Sequence, residues 1–127
     1  MSDCPFCEIV AGRAPATYVA DGIQSIAIVP LGPVTPGHFL VIPRTHVADA
    51  YEDPAVTAAT MRDAADWARK MSDGDPRFES VNLITSVGRP ATQSVFHLHV
   101  HVVPRRVDDG LALPWYSGKR SVRSGSV

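Results

Sequence analysis

Apolar positions recur along this chain with two different periods. Between residues 54 and 72, Met61, Ala64, Ala65, Ala68 and Met71 return at spacings of three and four, the mark of one helical face. Asp53 offers an N-cap, Pro54 a first helical residue and Gly74 a terminator, so one long helix is expected through Ser72. Its stripe of Met and Ala reads as a packing face. Residues 6–11 give a second, short helix, stopped by Gly12 with Pro15 beyond. Elsewhere the pattern shortens to that of strands. Residues 23–29 alternate weakly and are rich in β-formers, with Asp21-Gly22 before them as a hairpin turn. Residues 39–42 form a short buried strand closed by Pro43, and residues 80–87 and 94–103 read as two more, the last stopped by Pro104. Residues 30–37 carry three prolines and two glycines, so they form a loop that positions whatever follows. Strands grouped around one long helix predict an α+β domain on an antiparallel sheet. That domain should span residues 1–116, with a polar, basic C-terminal tail over 117–127 that is disordered or loosely docked.

Composition narrows the partners more than the fold. At 127 residues the chain suits one domain that needs no staple, and its 45% hydrophobic and 20% charged content is that of an ordinary globular protein. Twelve basic against thirteen acidic residues leave a formal net charge of −1, which removes the electrostatic case for general nucleic-acid binding. No apolar run approaches the ~20 residues of a membrane span. Met1-Ser2-Asp3-Cys4-Pro5 lacks the basic-then-apolar layout of a signal peptide, so a cytoplasmic location is expected.

The chemistry rests on two cysteines and five histidines. Cys4 and Cys7 form a Cys-Pro-Phe-Cys pair. A disulfide across so short a loop adds little, and a thioredoxin-like pair should follow a strand, which is absent here. Two readings remain: half of a tetrahedral zinc site completed by histidines, or free structural thiols. His97, His99 and His101 alternate in Ser94-Val-Phe-His-Leu-His-Val-His-Val-Val-Pro-Arg105. On a strand they would line one side, with Phe96, Leu98, Val100 and Val102 anchoring the other. Three imidazoles at strict spacing are costly in a core and unneeded on a surface. Two chemistries fit: a catalytic metal site with an open position, or imidazole attack on a phosphoryl centre whose oxygens the neighbouring imidazoles bind.

His97-Leu-His-Val-His-Val-Val103 resembles the signature of the histidine triad (HIT) family, His-x-His-x-His followed by apolar residues. The likeness extends through Gln93-Ser94-Val95, Gly37-His-Phe-Leu-Val-Ile-Pro-Arg-Thr-His46 and Cys4-Pro-Phe-Cys-Glu-Ile-Val-Ala-Gly12, in that family's order, over roughly residues 4 to 106. Pro104-Arg105 is similar to common bacterial members and dinucleoside polyphosphate hydrolases. The resemblance implies a HIT-like fold with about five antiparallel strands, a short N-terminal helix and one long helix. It also implies a nucleotide hydrolase or transferase acting at the α-phosphate of phosphoramidates or dinucleoside polyphosphates. In that reading His99 attacks phosphorus and forms a nucleotidyl-histidine intermediate. His101 binds phosphate oxygens, His38 supports the cluster, Ser94 bonds near the leaving group and Gln93 shapes the phosphate pocket. Cys4, Cys7, His46 and His97 match a structural zinc set, and a homodimer is expected.

Three positions depart from the family pattern. Pro30 stands where members usually carry a ribose-binding Asp, Ser86 where an Asn is common, and Thr92 where a Gly precedes Gln93. Substrate-binding candidates are therefore Gln93, Ser86, Thr92 and His101, with the phosphate chemistry retained and the substrate shifted or relaxed. Two rivals stand beside this reading: a metal-dependent hydrolase with the triad as ligands, and a nucleotide-binding or scaffold protein with little catalysis. Leu111-Ala-Leu-Pro-Trp-Tyr116 either crosses toward a partner subunit or lets Trp115 cap its own core.

Overall fold

A computed structural model describes residues 2–117, so the tail beyond Ser117 lies outside the described residues. The order of elements is α1 (Pro5–Val10), β1 (Tyr18–Asp21), β2 (Ser25–Ile28), β3 (Phe39–Pro43), α2 (Pro54–Ser72), β4 (Val81–Ile84) and β5 (Val100–Pro104). Single 3₁₀ turns stand at Pro76–Phe78 and Arg89–Ala91. The strands form one antiparallel sheet in the order β1-β2-β3-β5-β4.

Both helices start where local chemistry directs. The Asp53 carboxylate accepts from the Ala55 N–H and Pro54 opens α2. At α1 the cap is Cys4, whose sulfur accepts from the Cys7 N–H. The helices cover opposite faces of the sheet. Ala27, Phe39, Val41, Val100 and Val102 pack with Ala64, Ala68 and Phe78, the α2 side. Ile26, Ile28, Leu40 and Ile42 pack with Phe6, the α1 side. Central strands buried on both faces read as continuous apolar runs, which is why residues 39–43 show no alternation. Leu40 stands opposite His101 in the β3–β5 ladder, and that register carries His101 onto the α1 face while Val100 and Val102 face α2.

Several expectations need correction. The strand expected over 23–29 begins at Ser25, because fully exposed Ile23 belongs to the hairpin loop closed by the Gly22 N–H to Ser25 carbonyl bond. A Cβ on Gly22 would meet Trp67 at 2.9 Å, so the close approach of α2 requires glycine in that loop. β1 forms the other arm of this hairpin and was not anticipated. The strand expected over 80–87 is confined to Val81–Ile84.

The strand expected over 94–103 is confined to Val100–Pro104. Residues 94–99 leave the ladder because the Pro43 carbonyl on the neighbouring strand is taken by the His97 ring, while the Leu98 N–H turns to the Val47 carbonyl. Phe96 is consequently no core anchor: it is 37% exposed, with the Arg89 guanidinium 4.9 Å from its ring centre. On α2, Ala65 faces solvent and half-buried Trp67 packs on the core instead. Trp115 is 57% exposed, so it does not cap its own core. Among the described residues no helix is long and apolar enough to cross a membrane.

Candidate functional site

Five histidines gather on the α1 side in two groups, and His97 and His99 part company between them. His97 is fully buried. Its Nε2 lies 2.8 Å from the Pro43 carbonyl, which can only accept, so Nε2 carries the proton and Nδ1 keeps its lone pair. That Nδ1 lies 3.4 Å from Cys4 Sγ, 3.5 Å from Cys7 Sγ and 3.0 Å from His46 Nδ1, and His46 Nδ1 lies 3.2 Å from Cys7 Sγ. All four donor atoms fall within 4.8 Å of one another.

Ligands at zinc bond lengths on a tetrahedron stand about 3.3–3.8 Å apart, so this set fits a single Cys₂His₂ ion. Burial and the adjacent Cys4 both push the Cys7 thiol up. Four protein donors would leave a tetrahedral ion no open position for water, and the group joins α1, the segment after β3 and the histidine segment.

His99, His101 and His38 form the second group. His99 Nδ1 lies 2.8 Å from the His97 carbonyl, so Nδ1 is the protonated nitrogen and Nε2 carries a free lone pair. The Thr85 hydroxyl in turn donates to the His99 carbonyl at 2.8 Å and fixes the backbone there. The Val34 N–H donates to His38 Nδ1 at 3.1 Å. His38 therefore holds its proton on Nε2 and donates it to His101 Nδ1, 3.0 Å away. The chain of partners leaves His101 with its proton on Nε2. One imidazole thus presents a lone pair and its neighbour an N–H, with ring centres 5.2 Å apart.

Burial keeps all three rings neutral. It lowers the pKa of His38 and of His99, the latter against the opposing bond to the His97 carbonyl. His101 falls furthest, to about 4, through burial first and then the neighbouring His99 and His38. The proline-rich loop supplies His38: the Thr35 hydroxyl bonds the Pro104 carbonyl at 3.0 Å and pins the loop to the end of β5. Gly37 sits at φ +92, and a Cβ there would press on Phe78 at 3.1 Å, so glycine is required just before this histidine.

His99 and His101 open into a cavity of about 950 Å³ that Thr92, Ser94 and Val95 also line. Ser94 and Thr92 thus line the same cavity as the two histidines. Gln93 is not a wall of that cavity. It is buried, accepts from the Gly88 N–H and donates to the Ala48 and Val95 carbonyls, so it holds the loop that carries Thr92 and Ser94. Ser86 does not line the cavity either. Phe6 escaped the sequence reading: it meets His99 edge-on at 5.1 Å and His97 at 6.0 Å, so one ring from α1 buttresses both groups. Its place inside Cys-Pro-Phe-Cys was the available signal, whereas the Val34 amide and the Pro43 and His97 carbonyls leave none.

Comparison with known proteins agrees with this geometry. The HIT domain family model matches residues 11–108. The chain is 37% identical over 117 residues to "Protein hit" of Bacillus subtilis, covering 89% of this chain and 79% of that protein. It is 32% identical over 115 residues to the adenosine 5'-monophosphoramidase hnt1 of Schizosaccharomyces pombe, covering 90% and 84%. Among solved structures, a zinc-bound histidine triad family protein from Mycobacterium smegmatis superposes with a TM-score of 0.75 at 39% identity, covering 82% of this chain and 76% of that one. With its triad on and beside β5 and its cysteine pair at the start of α1, the chain belongs to the histidine triad family.

Proposed function

We propose that this protein is a nucleotide hydrolase or transferase that acts at the α-phosphate through His99. The observation that carries the reading is the tautomer order, which aims an unprotonated His99 Nε2 and a protonated His101 Nε2 from neighbouring rings on one cavity. His99 Nε2 attacks phosphorus and the bond to the leaving group breaks; an amine leaving group takes its proton from solvent as it departs. Water then attacks the same phosphorus, cleaves the N–P bond, releases a proton to solvent and regenerates the neutral imidazole. The His101 Nε2–H and the Ser94 hydroxyl stabilise charge on the phosphoryl oxygens and leaving atom. His38 acts through His101, whose proton it keeps on the outward nitrogen.

The relative named as an adenosine 5'-monophosphoramidase supports a nucleoside phosphoramidate as one substrate, with dinucleoside polyphosphates as the second class. Zinc would be held by Cys4, Cys7, His46 and His97. Bound there it supplies structural cross-linking, tying α1 and Phe6 to the histidine segment. A catalytic metal on the triad is disfavoured because only His99 Nε2 offers it a lone pair: His97 Nδ1 faces the cysteines, and the bonds from Val34 through His38 leave His101 with its proton on Nε2. A cytoplasmic homodimer completes the reading. Edge strand β4 and exposed Val107 and Trp115 offer a surface for the partner, and light scattering reads the mass directly.

Adenosine 5'-phosphoramidate, a dinucleoside polyphosphate and a nucleotidyl sulfate, assayed side by side, test the enzyme. Turnover of at least one is expected, with a loss of about a thousandfold in His99→Ala. Inertness toward all three overturns the proposal and leaves a binding protein.

A further inference from the structure

The cavity at His99 holds more than a phosphate, and its walls state what the remainder must be. Around the histidines the polar side chains are Thr92 and Ser94. The other walls, from α1, the segment before β1 and the end of β2, are apolar but for Thr17. Phe6, Ile9, Ile28, Pro30 and Leu31 typify them, and among the described residues no carboxylate, amide, lysine or arginine lines the cavity. The end of β2 offers no free backbone donor at Val29 or Pro30. The Val29 N–H is spent on the Thr17 carbonyl, and Pro30 has none.

A sugar set against Val29, Pro30 and fully exposed Leu31 would keep its hydroxyls partly in water and find few partner side chains among the described residues. A wall built to bond hydroxyls rejects analogues lacking them by several orders of magnitude, whereas an apolar wall cannot do so.

We infer that this cavity selects the nucleoside part of its substrate by apolar contact and is indifferent to the ribose diol. Nucleoside 5'-phosphoramidates without free 2'- and 3'-hydroxyls are then within its substrate class. This deepens the proposed function and rests on it for the turnover measurements alone.

The test compares adenosine 5'-phosphoramidate with its 2',3'-dideoxy analogue in wild type and in Pro30→Asp, a change that puts a two-oxygen acceptor on the apolar wall. In wild type, kcat/KM for the dideoxy compound should equal or exceed that of the ribose compound, within about threefold. In Pro30→Asp the ribose compound should be favoured by at least about fivefold, the worth of one or two hydrogen bonds. A wild-type preference for ribose above about tenfold overturns the inference, as does a ratio that Pro30→Asp leaves unchanged.

Calorimetric titration with AMP and 2',3'-dideoxy-AMP gives the same comparison without chemistry. Equal affinities in a protein that turns over neither phosphoramidate sustain the cavity inference and remove the hydrolase. Binding of AMP alone overturns the inference whatever the turnover.

Discussion

Replacing Thr92 by glycine should make the protein more stable, although the loop it belongs to lines the site. Thr92 adopts φ 76, ψ 17, the left-handed conformation, as it caps the 3₁₀ turn Arg89–Ala91. A Cβ in that region costs about 1–2 kcal/mol, and a β-branched residue lies at the upper end. Its side chain returns little: Thr92 is exposed, and no hydrogen bond to its hydroxyl is formed among the described residues.

Glycine removes the strain but adds unfolded-state freedom worth about 0.4–1 kcal/mol. The difference is a net gain of about 0.5–1 kcal/mol. With an unfolding entropy near 0.27 kcal/mol/K for 127 residues, that gain raises Tm by about 2–4 °C, measurable by calorimetry. Thr92→Ala keeps the Cβ and should stay nearer wild type, giving the order Gly above Ala. If the Thr92 hydroxyl touches the substrate phosphate, both variants lose about tenfold in kcat/KM. A Thr92→Gly protein with a Tm at or below wild type refutes the strain argument.

Cys7→Ser should bind less than one equivalent of zinc by atomic absorption and unfold at lower temperature; full zinc content at unchanged Tm would place the metal elsewhere. The buried neutral rings make stability depend on pH. The unfolded chain carries His101 near pKa 6.5 and the folded one near 4, with His38 lowered in the same direction. The unfolded state therefore binds more protons between these values. The stability contribution is complete above about pH 6.5 and is lost as pH falls toward 4, at up to about 1.4 kcal/mol per pH unit for each group. His101→Gln should flatten the fall in Tm over that range, and an unchanged slope would contradict the assignment. Asp109 is 1% exposed at its side chain and accepts from Arg105 Nε and Nη2 and from the Arg106 and Leu111 amides. Asp109→Asn should cost about 2 kcal/mol by urea titration, and a loss under 0.5 kcal/mol, roughly a tenth of what a marginal domain possesses, would show the network is dispensable.

What the sequence made legible was local or carried by the family pattern. Asp53-Pro54 and Gly12 announce helix ends because caps act within a few residues. The period of two placed His101 correctly, since Leu40 across the ladder shares its face. It misled at His97 and His99, which keep the alternation without the strand. Their rings are drawn to the Pro43 carbonyl and cysteines, and to the His97 carbonyl. β1 was missed because Tyr18-Val19-Ala20-Asp21 is only half-buried at its two central residues and carries no alternating signal. Cys4, Cys7, His46 and His97 could be grouped from resemblance, whereas the tautomers depend on backbone groups of Val34, Pro43 and His97 that any residue could supply.

The nucleophile is the claim on which the account turns, and trapping it is the direct measurement. The protein is mixed with adenosine 5'-phosphoramidate, quenched within a turnover in alkali, where a phosphorus–imidazole bond persists, and read by intact and peptide mass spectrometry. An adenylyl adduct on the peptide containing His99, absent from His99→Ala and still formed in Cys7→Ser that remains folded, is the expected result. Rapid turnover with no adduct, or an adduct on another histidine that survives His99→Ala, would contradict it.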